Sequence, residues 1–299
     1  MEKKYEEIIA PVERDFLILD NEIKKVLIGS ETQLNPYIEK FLFSTSKRIR
    51  SAVIFLLSYA LFGKIFPKAI RTAVAIELLH NASLIHDDII DEAKERRGQA
   101  SFNSEFNNKL AVIAGDFLFS MAFELIVKDN DSSAVLAYIE TFKNLCKGEI
   151  EQFFEKEKIP AIENYIKKSD NKTASLFCIG VENAFKNEVS NIRLKNLTEF
   201  AKNFGIAFQL NNDLKNIFDG AKDFKDGIYT AAIIFAYEKN KDITKAEYLL
   251  EELEMVNAID STRNLIKTYT QRAVANLSCV GDNVYKSALI SLCEFIEEI

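Results

Sequence analysis

The stretch Val74-Ala75-Ile76-Glu77-Leu78-Leu79-His80-Asn81-Ala82-Ser83-Leu84-Ile85-His86-Asp87-Asp88-Ile89-Ile90-Asp91 decides the fold. It is apolar nearly all round a helical wheel until it reaches its acidic end. A helix of that kind sits inside a bundle of other helices. Pro67 marks its start, because proline suits the first helical position, and the pattern runs on to about Lys94.

Outward from this helix the same 3.6-residue period recurs. Residues 5–28 carry Ile8, Ile9, Val12, Phe16, Leu19, Ile23 and Val26 on one stripe. A short helix follows Pro36 to about Ser44, and an apolar one runs from Lys47 to Phe62, stopped by Gly63. Further helices are predicted at 105–127, 131–156, 160–169, 171–185, 190–218, 228–239, 243–254, 258–276 and 282–297. Period-2 strand runs are essentially missing. With Gly 10 and Pro 4 in 299 residues, backbone breaks are rare. No linker or repeat divides the chain. The reading is all-α: one domain over 1–299, a bundle of 10–13 helices.

The charge pattern excludes some partners. The net charge is −7 and the isoelectric point about 5.2, which argues against a nucleic-acid protein. Cys146, Cys178, Cys279 and Cys293 form no CxxC pair and read as buried thiols of a reducing compartment. The N-terminus mixes charges of both signs, and the most apolar stretch, Ala52 to Phe62, is about half a membrane span. No targeting or spanning segment is expected, and the location is expected to be cytoplasmic.

The central helix ends in carboxylates. Asp87 and Asp91 are four apart and share a face about 6 Å apart. His80 and Leu84 lie below on the same azimuth. Acidic side chains are poorly placed at the negative end of a helix dipole, so cations are expected there, and Mg²⁺ suits carboxylates while keeping positions open for phosphate. Arg96-Arg97-Gly98 follows, and Lys47-Arg48-Ile49-Arg50 lies upstream. Guanidinium groups beside a bound cation suggest a diphosphate clamp.

These residues resemble the trans-prenyltransferases, the polyprenyl diphosphate synthases, and the long-chain, octaprenyl-type members most. Glu77 to Asp91 with Arg96-Arg97-Gly98 looks like their first aspartate-rich motif. Lys47-Arg48-Ile49-Arg50, Ala114-Gly115-Asp116, Lys172-Thr173-Ala174 and Phe208-Gln209 resemble four further blocks in the family's order, over roughly residues 40–235. The resemblance implies an isoprenoid-synthase-type helical bundle around a deep central cavity, and a homodimer. It also implies head-to-tail condensation: Mg²⁺ ionises an allylic diphosphate, isopentenyl diphosphate attacks the carbocation, and a proton is lost. By position, Asp87 and Asp91 bind Mg²⁺ with Asp88 in support. Arg96, Lys172, Thr173 and Gln209 hold the allylic diphosphate (farnesyl or geranyl), with Asp213 on the substrate. Lys47, Arg50, His80 and Arg97 bind isopentenyl diphosphate. Transient membrane contact during product release follows from a long lipid product.

The chain departs from the family in places. The second aspartate motif is reduced to Asn212-Asp213-Leu214-Lys215-Asn216, with Asp219 and Asp223 as substitutes in reach of the sequence. Ile228 stands where the family has a diphosphate-binding lysine, and Thr45-Ser46 and Ser51 alter the first basic block. An active synthase with an altered half-site competes with a weakly active or regulatory subunit of a heteromeric synthase. A short-chain (farnesyl or geranylgeranyl) synthase and a terpene cyclase are further alternatives. Ser83 lies one turn, about 5.4 Å, beneath Asp87, next to Ala82. Short-chain relatives place a bulky aromatic at this level, so Ala82 and Ser83 predict a long, octaprenyl-like product.

Overall fold

The computed structural model describes residues 2–30, 32–44, 47–96, 98–128, 131–239, 242–243 and 248–298. In chain order its helices are α1 (Glu2–Ile9), α2 (Glu13–Ile28), α3 (Asn35–Leu42), α4 (Ile49–Phe62) and α5 (Pro67–Ile90). A minimal hairpin follows, β1 (Glu95–Arg96) and β2 (Gln99–Ala100). Then come α6 (Phe102–Glu105), α7 (Asn108–Val127), α8 (Ser132–Phe154), α9 (Ile162–Ser169), α10 (Ser175–Phe185) and α11 (Asn191–Phe218). The chain closes with α12 (Lys222–Lys225), α13 (Ala231–Glu238), α14 (Leu249–Met255), α15 (Ala258–Asn276) and α16 (Val284–Glu297). The fold is all-α.

Local chemistry sets the boundaries. Gly63 takes a left-handed conformation (φ 67°) after α4, and Pro67 opens α5. Asn107 caps α7 by accepting the Leu110 N–H at 2.9 Å, and Asn283 caps α16 through the Tyr285 and Lys286 N–H groups. Three expected helices differ. The stripe over 5–28 is broken by a 3₁₀ turn at Ala10–Val12, because Pro11 has no N–H to donate and its ring clashes with the preceding turn. The central helix stops at Ile90, not Lys94, since Glu92 adopts a positive φ of 48°. Residues 171–174 belong to a π-helical segment, Asp170–Ala174, that joins α9 to α10. Of the expected helix over 243–254, residues 244–247 lie outside the described residues.

The chain divides into two compact units. The N-terminal unit, Ile9–Leu136, is organised on α5, which packs against α7, α4 and α2. From Thr72 to Leu79 every α5 residue is buried, so the all-round apolar pattern has its physical cause. One close approach is built in. A Cβ on Gly115 of α7 would lie 2.2 Å from His86 Nε2, and this space lets the imidazole face α7. His86 sits 3.2 Å from the Val112 carbonyl oxygen and 5.6 Å, ring to ring, from Phe119.

The C-terminal unit, Met1–Ile8 with Ala137–Ile299, is organised on α11, about 42 Å long. It packs against α15, α10 and the π segment. Phe177 meets Phe204 edge-on at 5.4 Å, and Phe200 stacks on Phe204 at 5.8 Å. α1 joins this unit through Tyr5 against Phe295 and an ion pair of Lys4 with Glu298.

Two sequence readings change here. Cys146 is exposed and only Cys293 is fully buried among four free thiols, because α8 turns Cys146 outward. α7 is long and apolar enough to cross a membrane, with mean hydropathy 2.0, whereas the shorter Ala52 to Phe62 stretch drew the attention in the sequence. Half of that α7 window is buried within the structure, as in a core helix.

Candidate active site

In the N-terminal unit, the acidic end of α5 separates two kinds of carboxylate. Asp88 is fully buried, while Asp87 is half-buried and Asp91 exposed. The helix period explains this: positions 87 and 91 share one face, and 88 turns about 100° from 87 into the core. Arg96, on β1, reaches back to Asp88. Its Nε donates to Asp88 Oδ1 at 2.8 Å and its Nη2 donates to the same oxygen. The hairpin is thereby tied to the end of α5, and the Ala93 N–H donates to the Asp88 carbonyl at 2.9 Å. Asp88 Oδ2 has no hydrogen-bond partner among the described residues.

The other basic residues of this unit sort by burial. Arg48 is at the left-handed N-cap of α4 (φ 47°), pairs with Asp20 of α2 and lies over the Phe43 ring at 5.3 Å. Burial lowers its pKa, and Glu77 opposes that shift. Arg50 is buried and Lys47 exposed at the start of α4. His80 is half-buried on α5, and its carbonyl accepts the Ser83 hydroxyl at 2.8 Å. Glu77 is buried and accepts from Ser51 Oγ at 2.6 Å. Ala82 is buried and Ser83 half-buried. Arg97 lies outside the described residues.

In the C-terminal unit, a chain of side-chain hydrogen bonds crosses from the π segment to α11 and on to α9. Thr173 Oγ1 donates to Gln209 Oε1 at 2.5 Å, and Gln209 Nε2 donates to Asp213 Oδ1 at 2.6 Å. The Tyr165 hydroxyl donates to Asp213 Oδ2 at 2.5 Å. Lys172 pairs with Glu149 of α8. A glycine makes the crossing short: a Cβ on Gly205 would lie 2.6 Å from Ala174 Cα and 2.8 Å from its Cβ. α11 therefore lies flush on the π segment one turn before Gln209. Isolated π turns frequently mark functional sites, since they re-aim neighbouring side chains.

Loss of water pushes the Asp213 carboxyl up to about 6, and Asp223 adds to the rise. The Tyr165 hydrogen bond, Lys168 and Gln209 hold it back. Tyr165 is raised well above its ordinary value, by burial first and then by Asp213. Burial lowers the Lys168 pKa, with Lys172 acting the same way and Asp213, Glu149 and Asp223 against. Asn212 is exposed. Asn216 accepts the Asp223 N–H at 3.1 Å and so shapes the entry to α12. Asp219 is exposed, and Asp223 supplies the charge felt by Asp213. Ile228 follows Gly227 (φ 74°), and its N–H donates to the Asp223 carbonyl at 2.8 Å. It lines a cleft of about 200 Å³, together with Tyr165, Lys168 and Tyr229.

Sequence reasoning missed Tyr165, Lys168, Glu149 and His86. Tyr165 and Glu149 reach their partners across 48 and 23 residues, and no local pattern encodes such a pairing. Gly115 and Gly205 were the available signals for close contact, one inside each helical run.

The donor set suits a hard cation. Among the described residues no three His, Cys, Asp or Glu side chains gather into a closed metal cage. Mg²⁺ is characteristically held by one or two carboxylates, with water and substrate phosphate completing its shell. Asp87 and Asp91, on the more open face of the α5 terminus, fit that requirement.

The sequence pattern of the polyprenyl synthetase family matches residues 31–267. A prenyl transferase of Cyanophora paradoxa is 30% identical, covering 97% of this chain and 97% of its own. A decaprenyl-diphosphate synthase of Dictyostelium discoideum is 27% identical over 98% of this chain and 72% of its own. The crystal structure of a Caulobacter crescentus CB15 polyprenyl synthase, complexed with calcium and isoprenyl diphosphate, is similar in fold. It has a TM-score of 0.87 and 24% identity, over 99% of this chain and 98% of its own.

Proposed function

The chain belongs to the polyprenyl synthetase family and is a prenyltransferase of the long-chain type, and on that premise we propose its reaction: head-to-tail condensation of isopentenyl diphosphate with an allylic diphosphate, farnesyl or geranyl, releasing diphosphate. The product is a long all-trans polyprenyl diphosphate of octaprenyl-like length. The observation that carries the reading is the end of α5. Two carboxylates face outward from an otherwise buried helix, beside an arginine held at its post by a third.

Asp87 and Asp91 would hold Mg²⁺. When bound, the ion neutralises the diphosphate and stabilises its departure. Arg96 spends Nε and Nη2 on Asp88, which leaves Nη1 to meet a phosphate oxygen. Lys172 brings an ammonium, and Thr173 and Gln209 are locked in one hydrogen-bonded run with Asp213, so their polar atoms are preorganised. Lys47, Arg50, His80 and Arg97 take isopentenyl diphosphate. Small side chains at Ala82 and Ser83 leave room for the growing tail. The whole chain, 1–299, is proposed to act as one polyprenyl synthase-like domain.

The protein is proposed to be a homodimer. Leu136, Ile139, Cys146, Ile150 and Phe153 are exposed along α8 at helical spacings of 3, 7, 4 and 3 that form one seam, a pattern suited to a second helix. Four free cysteines support a reducing, cytoplasmic setting, with transient membrane contact as the lipid product leaves. A second reading, a weakly active subunit with a competent partner, draws on Asn216. Its amide oxygen is spent on the Asp223 N–H in α12, at a position where the resembled motif has a carboxylate.

The test is incubation of the purified chain with Mg²⁺, farnesyl diphosphate and isopentenyl diphosphate, followed by chromatography of the product. Long-chain product supports the proposal. No turnover alone, with turnover restored by a co-expressed homologue, selects the second reading.

A further inference from the structure

Lys168 is a half-buried ammonium that the reaction scheme has not used. It stands on α9, three residues after Tyr165, and lines the cleft that Ile228 and Tyr229 also line. Its Nζ donates to Gln152 Oε1 at 3.1 Å, a neutral acceptor. Asp213 lies within its field, and its two oxygens accept from Tyr165 and Gln209. Among the described residues Lys168 bonds no carboxylate. Lys172 lies close enough for the two ammonium charges to oppose each other. Glu149 is paired with Lys172. A partly desolvated cation without a bonded counter-ion, four residues before a second cation on the π segment, is stabilised by an anion that touches both. An ammonium offers three donors, and Gln152 uses one.

We propose that Lys168 is a phosphate-binding residue, whose ammonium meets the same diphosphate as Lys172 from the cleft that Ile228 also lines. The inference rests on the diphosphate reading above and adds a residue to it. Lys168 acts by contact with the diphosphate and is distinct from a lysine that merely offsets Asp213.

The experiment is calorimetric titration of the full-length chain with inorganic diphosphate in the presence of Mg²⁺, a readout independent of turnover. Lys168→Met should weaken binding by about tenfold or more, the effect of losing one charge-assisted hydrogen bond. Lys168→Arg should stay within about threefold, because the charge is kept. Adding Ile228→Lys to Lys168→Met should recover most of the loss, since position 228 lines the same cleft. Lys168→Gln, which can still bond Gln152, should show the same loss if the methionine variant does not fold. Unchanged affinity in Lys168→Met or Lys168→Gln, beside a clear loss in Lys172→Met, overturns the proposal and leaves the diphosphate reading standing. Failure of Ile228→Lys to restore binding overturns it as well. A wild-type chain that binds no diphosphate removes the reading itself.

Discussion

The substitution Gly205→Ala tests whether α11 lies flush on the π segment. The new methyl carbon would sit 2.6 Å from Ala174 Cα, 2.8 Å from Ala174 Cβ and 3.1 Å from Phe177 Cδ2. Ordinary contact begins near 3.4 Å, so the two elements must part by about 0.8 Å. The obstructing atom is backbone and has no rotamer to change. Overpacking of this kind costs about 1–3 kcal/mol, while alanine regains about 1 kcal/mol of helix propensity over glycine. The net is a destabilisation of up to about 2 kcal/mol. The same parting would stretch the Thr173–Gln209 hydrogen bond from 2.5 Å toward the limit of useful length. Affinity for diphosphate should fall with it. Gly148 of α8 is the control, because a Cβ there meets nothing within 4 Å. Gly148→Ala should stabilise by about 0.5–1 kcal/mol. Denaturant melts of both variants, with diphosphate titration, read the outcome. If Gly205→Ala is as stabilising as Gly148→Ala, the close approach is wrong.

Three further outcomes are expected. Arg96→Gln leaves the buried Asp88 charge without its partner and should destabilise by about 3 kcal/mol, with most of the loss recovered by Asp88→Asn in the same chain; a double variant as unstable as the single would refute the pairing. Asp213 has a folded-state pKa raised from 3.8 to about 6, so its contribution to stability is full below 3.8 and is lost as pH rises through about 6. Relative to Asp213→Asn, the wild type should therefore lose about 1–2 kcal/mol across that window, after solvent screening, and parallel pH–stability curves would exclude the shift. Ser83→Phe and Ala82→Tyr should each shorten the product seen by chromatography. Product of unchanged length from folded variants would sink the assignment of these two positions to chain length.

What was legible in the sequence follows the reach of its patterns. The α5 terminus could be read because Asp87 and Asp91 obey the helix period, and the same period placed Asp88 off their face. Its burial against Arg96 could not be read, since it depends on the hairpin folding back after Glu92. Helix boundaries at Gly63 and Pro67 were visible in single residues. The break at Pro11 went unread, because the apolar stripe continues on either side of it. In the C-terminal unit the Lys172-Thr173 block was recognisable, whereas Tyr165, Glu149 and Lys168 were silent. Their roles come from packing among α8, α9 and α11, and propensity carries no record of that.

The π segment at Asp170–Ala174 carries one more consequence. An α-helix turns about 100° with each residue, and a π turn absorbs an extra residue without a break in the helix. Everything after it is thus rotated out of phase with α9. Lys172 and Thr173 sit inside that phase slip. Insertions and deletions are not equivalent around it: one residue lost between 170 and 174 would let α9 and α10 run as a single regular helix while swinging Thr173 away from Gln209. The chain can shed the irregularity easily and would lose its polar alignment in doing so, which makes this the place where length, more than residue type, is under constraint.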